Sequence, residues 1–271
     1  MADDPVLLEV KGGVAVLTLD RPDEHNITDD AVDALFFRYL DLLRTDRDVR
    51  VVVWRANGPS FSAGRDLGHL GACTATGDGA GVRHPGLPSD FELLERTAWS
   101  TRLLYEFPVP IVCALKGWTL GTMFERALLC DIRVAGEDTR MALPAVDHGL
   151  IPDGAGLAKL VEIGGSALAL DLALTGRRID AAEALRLGLV SRVVPDDELD
   201  DVVAGLARGL AARPPLVLRL VRESVQALAG PGVRDVLGRE LVGQAMVLAS
   251  HDYREHHQAR AEDREPRYER R

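Results

Sequence analysis

Aromatic residues make up only 5% of this 271-residue sequence, and cysteine occurs three times. Cys73, Cys113 and Cys130 are an odd count without metal-ligand spacing, which excludes a disulfide framework and a zinc site. Cys113 and Cys130 fall inside apolar runs and are expected to be packing residues. No stretch reaches the roughly 18 unbroken apolar residues that a membrane-spanning helix needs. Positive charge is also short: 32 Lys and Arg face 42 Asp and Glu, a formal net charge of −10. That balance argues against a nucleic-acid partner, because neutralising phosphates takes clustered cations. A local basic spot for a small anionic ligand remains compatible with it. The opening Met1-Ala2-Asp3-Asp4-Pro5 has neither a basic nor an apolar signal region, so a cytoplasmic location is expected. What is present, 46% hydrophobic and 27% charged residues, is the composition of a globular chain long enough to bury a sizeable core.

Val6–Val10 and Val14–Leu19, joined through Lys11-Gly12-Gly13, read as a β-hairpin. Asn26 to Arg44 places Val32, Leu35, Phe36, Leu40 and Leu43 at helical spacing, with Thr28 as the expected N-cap. Val49 to Ala56 is a continuous apolar run ending at Asn57-Gly58-Pro59, hence a buried strand. Residues 71–90 are rich in small residues and aperiodic, which predicts a loop. Helix is expected from Phe91 to Glu106, strand at Ile111–Leu115 and Leu128–Ala135, and helix at Ala155–Ile163. From Ala181 onward the pattern is almost wholly helical. The organisation is therefore an α/β core over residues 1–195 followed by a helical region over 196–271.

Two segments carry chemical information. In Gly58-Pro59-Ser60-Phe61-Ser62-Ala63-Gly64-Arg65-Asp66-Leu67 a strand runs into a small-residue turn and a helix-like pattern follows. In Lys116-Gly117-Trp118-Thr119-Leu120-Gly121-Thr122-Met123-Phe124-Glu125 a strand again feeds a glycine-marked turn that opens a helix. Such turns leave backbone N–H groups without partners, with the partial positive charge of a helix start behind them. Two of them can serve one oxygen on which negative charge develops.

These two stretches, with Cys130-Asp131-Ile132-Arg133-Val134-Ala135, resemble the signatures of the enoyl-CoA hydratase/isomerase (crotonase) family. Supporting matches are Leu19-Asp20-Arg21-Pro22 with Asn26, Leu150–Gly156, Leu174–Ile179, Ala181–Ala184 and Gly188-Leu189-Val190. The resemblance spans roughly residues 5–230 in the family's order. It implies an α/β ββα-superhelical core, C-terminal helices packing between subunits, and a homotrimer or dimer of trimers. It also implies an acyl-CoA substrate, with coenzyme A as part of the substrate and no separate cofactor or metal. The backbone N–H groups of Arg65 and Thr122 fall at the family's oxyanion-hole positions. Substrate and CoA contacts fall at His25, Ala63, Gly64, Asp66, Leu67 and Gly121. Arg65 replaces a usually small residue and is expected to reshape the pocket or reach a CoA phosphate. Thr122-Met123 stands where Gly-Gly is common, so a turn needing positive φ would strain the threonine.

Hydratases of the family use two glutamates. Glu125 matches the first; Ala145 occupies the second position and cannot handle a proton. Asp153, in Ile151-Pro152-Asp153-Gly154, sits where similar isomerases keep their single proton-shuttling carboxylate. Double-bond isomerisation of an enoyl-CoA by Asp153 is thus the leading expectation. Hydration by Glu125 with Asp153, thioester hydrolysis or dehalogenation, and a non-catalytic acyl-CoA-binding subunit are the alternatives. Asp153 could equally N-cap the following helix, and Glu125 could pair with Arg126 or Arg133. Asp147, His148, His69 and His84 read as bystanders, and Gly77–Gly81 lacks the flanking elements of a phosphate loop.

Overall fold

Gly12 and Gly13, at φ of 59° and 79°, close the first hairpin, where side chains at positive φ are disfavoured. Strand β1 (Val6–Lys11) and strand β2 (Val14–Leu19) pair antiparallel, Val6 opposite Leu19. The structure, a computed structural model, describes residues 4–66, 95, 98–229 and 232–269. Leu67, His69, Cys73, His84, Gly77–Gly81 and the expected 71–90 loop lie outside the described residues.

Beyond the hairpin the main sheet is parallel. Strand β3 (Val51–Ala56) joins β2, and β4 (Ile111–Leu115), β6 (Ile132–Gly136) and β9 (Arg192–Val194) follow in the order β1-β2-β3-β4-β6-β9. Both faces of the central strands are covered, which is why they read as unbroken apolar runs. Val52, Trp54, Ile111, Cys113 and Leu115 belong to the larger core with α1 (Asp30–Thr45). Val51, Val53, Val112 and Ala114 face Leu199, Val203, Ala207 and Ala211 of α6 (Leu199–Ala211). A second sheet of three short strands, β5 (Trp118–Leu120), β7 (Arg140–Ala142) and β8 (Ile179–Asp180), has the order β5-β7-β8.

The remaining helices are α2 (98–105), α3 (Thr122–Leu129), α4 (Gly156–Thr175), α5 (Ala181–Arg186), α7 (Pro215–Ala229), α8 (Gly232–Ala249) and α9 (His251–Ala261). Among the described residues no helix is long and apolar enough to cross a membrane.

Several boundaries correct the sequence reading. Helix α1 is capped by Asp29, whose carboxylate accepts from the Ala31 and Val32 N–H groups. Thr28 instead is buried and donates its N–H to the Gly64 carbonyl at 2.9 Å. The expected 128–135 strand begins only at Ile132, because α3 extends through Leu129. Helix α4 continues to Thr175 across a kink at Gly165. The chain after Ala181 also contributes a strand, β9, at the edge of the main sheet.

The passage from the first sheet to the second is made at Gly117, between β4 and β5. Its φ is 48°, and a Cβ placed there would lie 2.1 Å from the Pro59 carbonyl oxygen. Gly117→Ala is therefore expected to lower stability by roughly 2–3 kcal/mol, through overpacking and a strained torsion, measurable by urea denaturation.

Candidate active site

Three chain segments are sewn together at the ends of β3 and β4. The Ser62 N–H donates to the Trp118 carbonyl (2.8 Å) and the Leu120 N–H to the Ser62 carbonyl (3.1 Å), a parallel bridge registering Ser62 with Thr119. On the other side, the Ala63 N–H donates to the His25 carbonyl and the Asp66 N–H to the Thr28 carbonyl. Asn26, buried, ties the second of these contacts down: its Nδ2 donates to the carbonyls of Asn57 and Ser60, and its Oδ1 accepts from the Arg21 N–H within its own segment. His25 Nδ1 lies 3.0 Å from Ser60 Oγ.

Past the bridge both chains turn on a glycine. Gly64 has φ 95°, and a Cβ there would meet the Leu120 carbonyl oxygen at 3.0 Å. Gly121 has φ 54° and ψ −132°, a torsion suited to glycine, and Thr122 opens α3 with no positive φ. The strain anticipated for Thr122 is absent, because the glycine before it takes the turn. Arg65 stands three residues past Ser62, and Thr122 three past Thr119. Among the described residues, neither the Arg65 nor the Thr122 N–H donates a hydrogen bond. The Thr122 N–H is also at a helix N-terminus, where intrahelical acceptors run out.

The Arg65 side chain turns back toward α1. Its guanidinium pairs with Asp30 and, at 3.0 Å, with Asp33. Asp33 is shared: the buried Arg126 contacts both its oxygens at 2.7 and 2.9 Å and stacks on Phe37. Burial opposes ionisation of Asp33, but Arg126 and Arg65 outweigh it and hold its carboxyl below the usual range.

The 151–156 loop is held by side chains of α3 and α8. Glu125 Oε2, on buried α3, accepts from the Gly154 and Gly156 N–H groups at 3.0 and 3.1 Å. Glu240 Oε2, on α8, accepts from the Ala155 N–H at 2.9 Å, and Gln244 Oε1 from the Ile151 N–H at 3.1 Å. Glu125 therefore pairs with neither Arg126 nor Arg133. Asp153 does not cap α4 either, since these two glutamates take the turn's amides and the N-cap residue is Ala155, at φ 62°.

Burial, together with the charges of Asp153 and Glu240, pushes Glu125 well above the carboxylate range. Burial pushes Glu240 up to about 7. Asp153 is half-buried; desolvation raises it, and Arg126 and Arg65 hold the rise back. Ala145 lies on a 3-10 turn (Pro144–His148), its carbonyl accepting from Leu150. Glu240, Gln244, Asp33 and Arg126 carry no local sequence signal that would have singled them out.

A family profile described as Enoyl-CoA hydratase/isomerase matches residues 9–271. The chain belongs to this family. A putative enoyl-CoA hydratase of Thermus thermophilus is 34% identical over 258 residues, 95% of this chain and 98% of that protein. The 2,3-dehydroadipyl-CoA hydratase of Escherichia coli is 31% identical, covering 89% of each. A solved enoyl-CoA hydratase/isomerase from Pseudoalteromonas atlantica superposes with a TM-score of 0.83 at 29% identity, over 98% of this chain and 100% of that one. The α/β architecture with its helical C-terminal region is thus the crotonase fold, and the protein is an acyl-CoA enzyme of the enoyl-CoA hydratase/isomerase family.

For this family member the buried carboxyls set a pH signature. Glu240 keeps its proton up to about pH 7 in the folded chain, but releases it near 4.5 when unfolded. The folded state thus binds more protons between those values, and stability falls as pH rises through that window, by about 3 kcal/mol for this group. Urea denaturation from pH 4.5 to 8 is expected to show that decline, with a shallower slope in Glu240→Gln; the raised Glu125 and Asp153 contribute slope of the same sign.

Proposed function

We propose that the enzyme moves a double bond in an enoyl-CoA, with Asp153 as the single proton shuttle. Asp153 takes a proton from C2 of a 3-enoyl thioester. The electron pair delocalises onto the thioester oxygen as a dienolate, and the same carboxyl returns the proton at C4 to give the 2-enoyl product. The N–H groups of Arg65 and Thr122 hold the oxyanion, and His25, Ala63, Gly64, Asp66, Leu67 and Gly121 contact substrate or CoA. The substrate's oxidation state does not change, so the step uses no redox group, and CoA enters only within the substrate.

The observation that carries this reading is the division of labour among the carboxyls. Glu125 and Glu240 are occupied by the amides of residues 154–156, whereas the hydrogen bond that bears on the Asp153 carboxyl comes from its own backbone N–H. Its raised pKa makes it a stronger base than an ordinary aspartate. Two amides that donate no hydrogen bond among the described residues, at matched positions beyond the Ser62–Thr119 bridge, support the oxyanion assignment. The second reading is hydration of a 2-enoyl-CoA with Glu125 and Asp153 sharing a water, favoured by the hydratase names of the relatives. Asp153→Asn is expected to slow conversion of a 3-enoyl-CoA by roughly 10²–10⁴-fold, followed by the absorbance of the conjugated thioester. Near-normal turnover in that variant removes the assignment, and wild-type hydration of crotonyl-CoA without isomerisation selects the second reading.

The enzyme is also proposed to be a homotrimer or a dimer of trimers. Helix α7 supports this by its inverted polarity. Arg222 reaches inward to Asp131 and to the Tyr105 and Phe107 carbonyls, and Gln226 to the Tyr105 carbonyl. Leu216, Val217, Leu220, Val221, Val225 and Leu228 are each more than half exposed on the same helix. An apolar stripe of that length on a globular chain marks a protein contact. Leu220→Glu is expected to shift the assembly toward monomer by at least tenfold in dissociation constant, read by light scattering; an unchanged mass would refute this interface.

A further inference from the structure

We propose that Glu240 is a positioning residue for Asp153, and that α8 holds the loop on which the proton shuttle sits. The inference rests on the isomerase reading for the role of Asp153, but its structural part stands without it.

The loop from Ile151 to Gly156 has three outside anchors. Gln244 takes the Ile151 N–H at one end. Glu240 takes the Ala155 N–H at the other, and Glu125 takes the two flanking N–H groups. Gln244 and Glu240 are one helical turn apart, on the same face of α8, and only 2% and 4% exposed. Asp153 lies between their two contacts. Gly243 lets the helix come close, since a Cβ there would reach Ile151 Cδ1 at 2.8 Å.

Ala155 adopts φ 62° without being glycine. A non-glycine residue in that region is held by its surroundings, and the hydrogen bond from its N–H to Glu240 is one such restraint. Glu240 Oε1 is buried and finds no hydrogen-bond partner among the described residues. An ionised carboxylate there leaves a desolvated, unpaired oxygen. The neutral acid meets the loop's need equally well, because one oxygen still accepts from Ala155. The charged groups around this contact are Glu125 and Asp153, with Arg126 and Arg65 beyond Asp153. Glu240 thus acts on the reaction through the loop.

The role separates Glu240→Ala from Glu240→Gln, because glutamine keeps an acceptor for the Ala155 N–H. Steady-state kinetics on a 3-enoyl-CoA and amide hydrogen exchange of the 151–156 peptide are measured on the full chain, with Asp153→Asn alongside. Glu240→Ala is expected to lower kcat by about 10- to 100-fold, with KM within about threefold, as befits misplacement of a reacting group. Exchange at the 151–156 amides is expected to accelerate. Glu240→Gln is expected to restore protection and bring kcat within about threefold of wild type.

Wild-type kcat and protection in Glu240→Ala overturn the proposal. So does a Glu240→Gln variant as slow as Glu240→Ala with the loop still protected, which would make Glu240 a proton carrier itself. Should Asp153→Asn stay active, or the wild type fail to isomerise, while Glu240→Ala still frees the loop, the isomerase reading falls and the anchoring stands. If Glu240→Ala does not fold, Gln244→Leu tests the other end: faster exchange at Ile151 and a lower kcat support the anchoring, and no change in either refutes it.

Discussion

A backbone N–H at the start of a helix, or past the last rung of a strand pair, has no partner built into its own element. Here the parallel bridge between Ser62 and Thr119 carries two such groups outward together. The bridge depends on close backbone approach: Gly117 against Pro59, and Gly64 against Leu120. Asn26 then fixes its own segment to the 57–60 turn through Nδ2, while its Oδ1 braces that segment internally at Arg21. The anion-binding character proposed for this corner is therefore a consequence of how β3 and β4 end.

At the 151–156 loop the electrostatics are arranged around burial. Glu125, Glu240 and Asp153 are all raised by desolvation, and the charge of Asp153 raises both glutamates further. Arg126 and Arg65 oppose the rise at Asp153, although both are also paired with Asp33. The cluster therefore differentiates three similar groups. Two carboxyls are drawn toward the neutral state and hold backbone. The third, Asp153, feels both guanidiniums, and it is the one proposed to carry the proton.

What was legible in the sequence follows from how local each signal is. The two glycine turns, the Gly12-Gly13 hairpin and the buried runs expected at 49–56 and 111–115 are specified by neighbours a few residues away, and they fold as read but for β3 starting at Val51. Thr28 and Asp29 are both good caps, and only the pairing of Thr28 with Gly64 decides between them. Strand β9 has three residues and no periodicity; its partner β6 lies far back in the chain. Glu240 meets Ala155 across 85 residues, and Arg126 meets Asp33 across 93. Nothing in a window of ordinary length marks an anchor of that kind.

The same distinction explains the departures of this chain from its family's pattern. A backbone N–H donates whatever side chain its residue carries, so Arg65 and Thr122 cost the proposed oxyanion hole nothing so long as the torsions hold. Gly64 and Gly121, one step earlier, take the torsions that would exclude a side chain. Arg65 is then free to tie α1 to the first turn through Asp30 and Asp33. Ala145 is a departure of another kind. A missing carboxyl is lost chemistry, and no backbone geometry replaces it, which is why the reaction proposed here turns on Asp153.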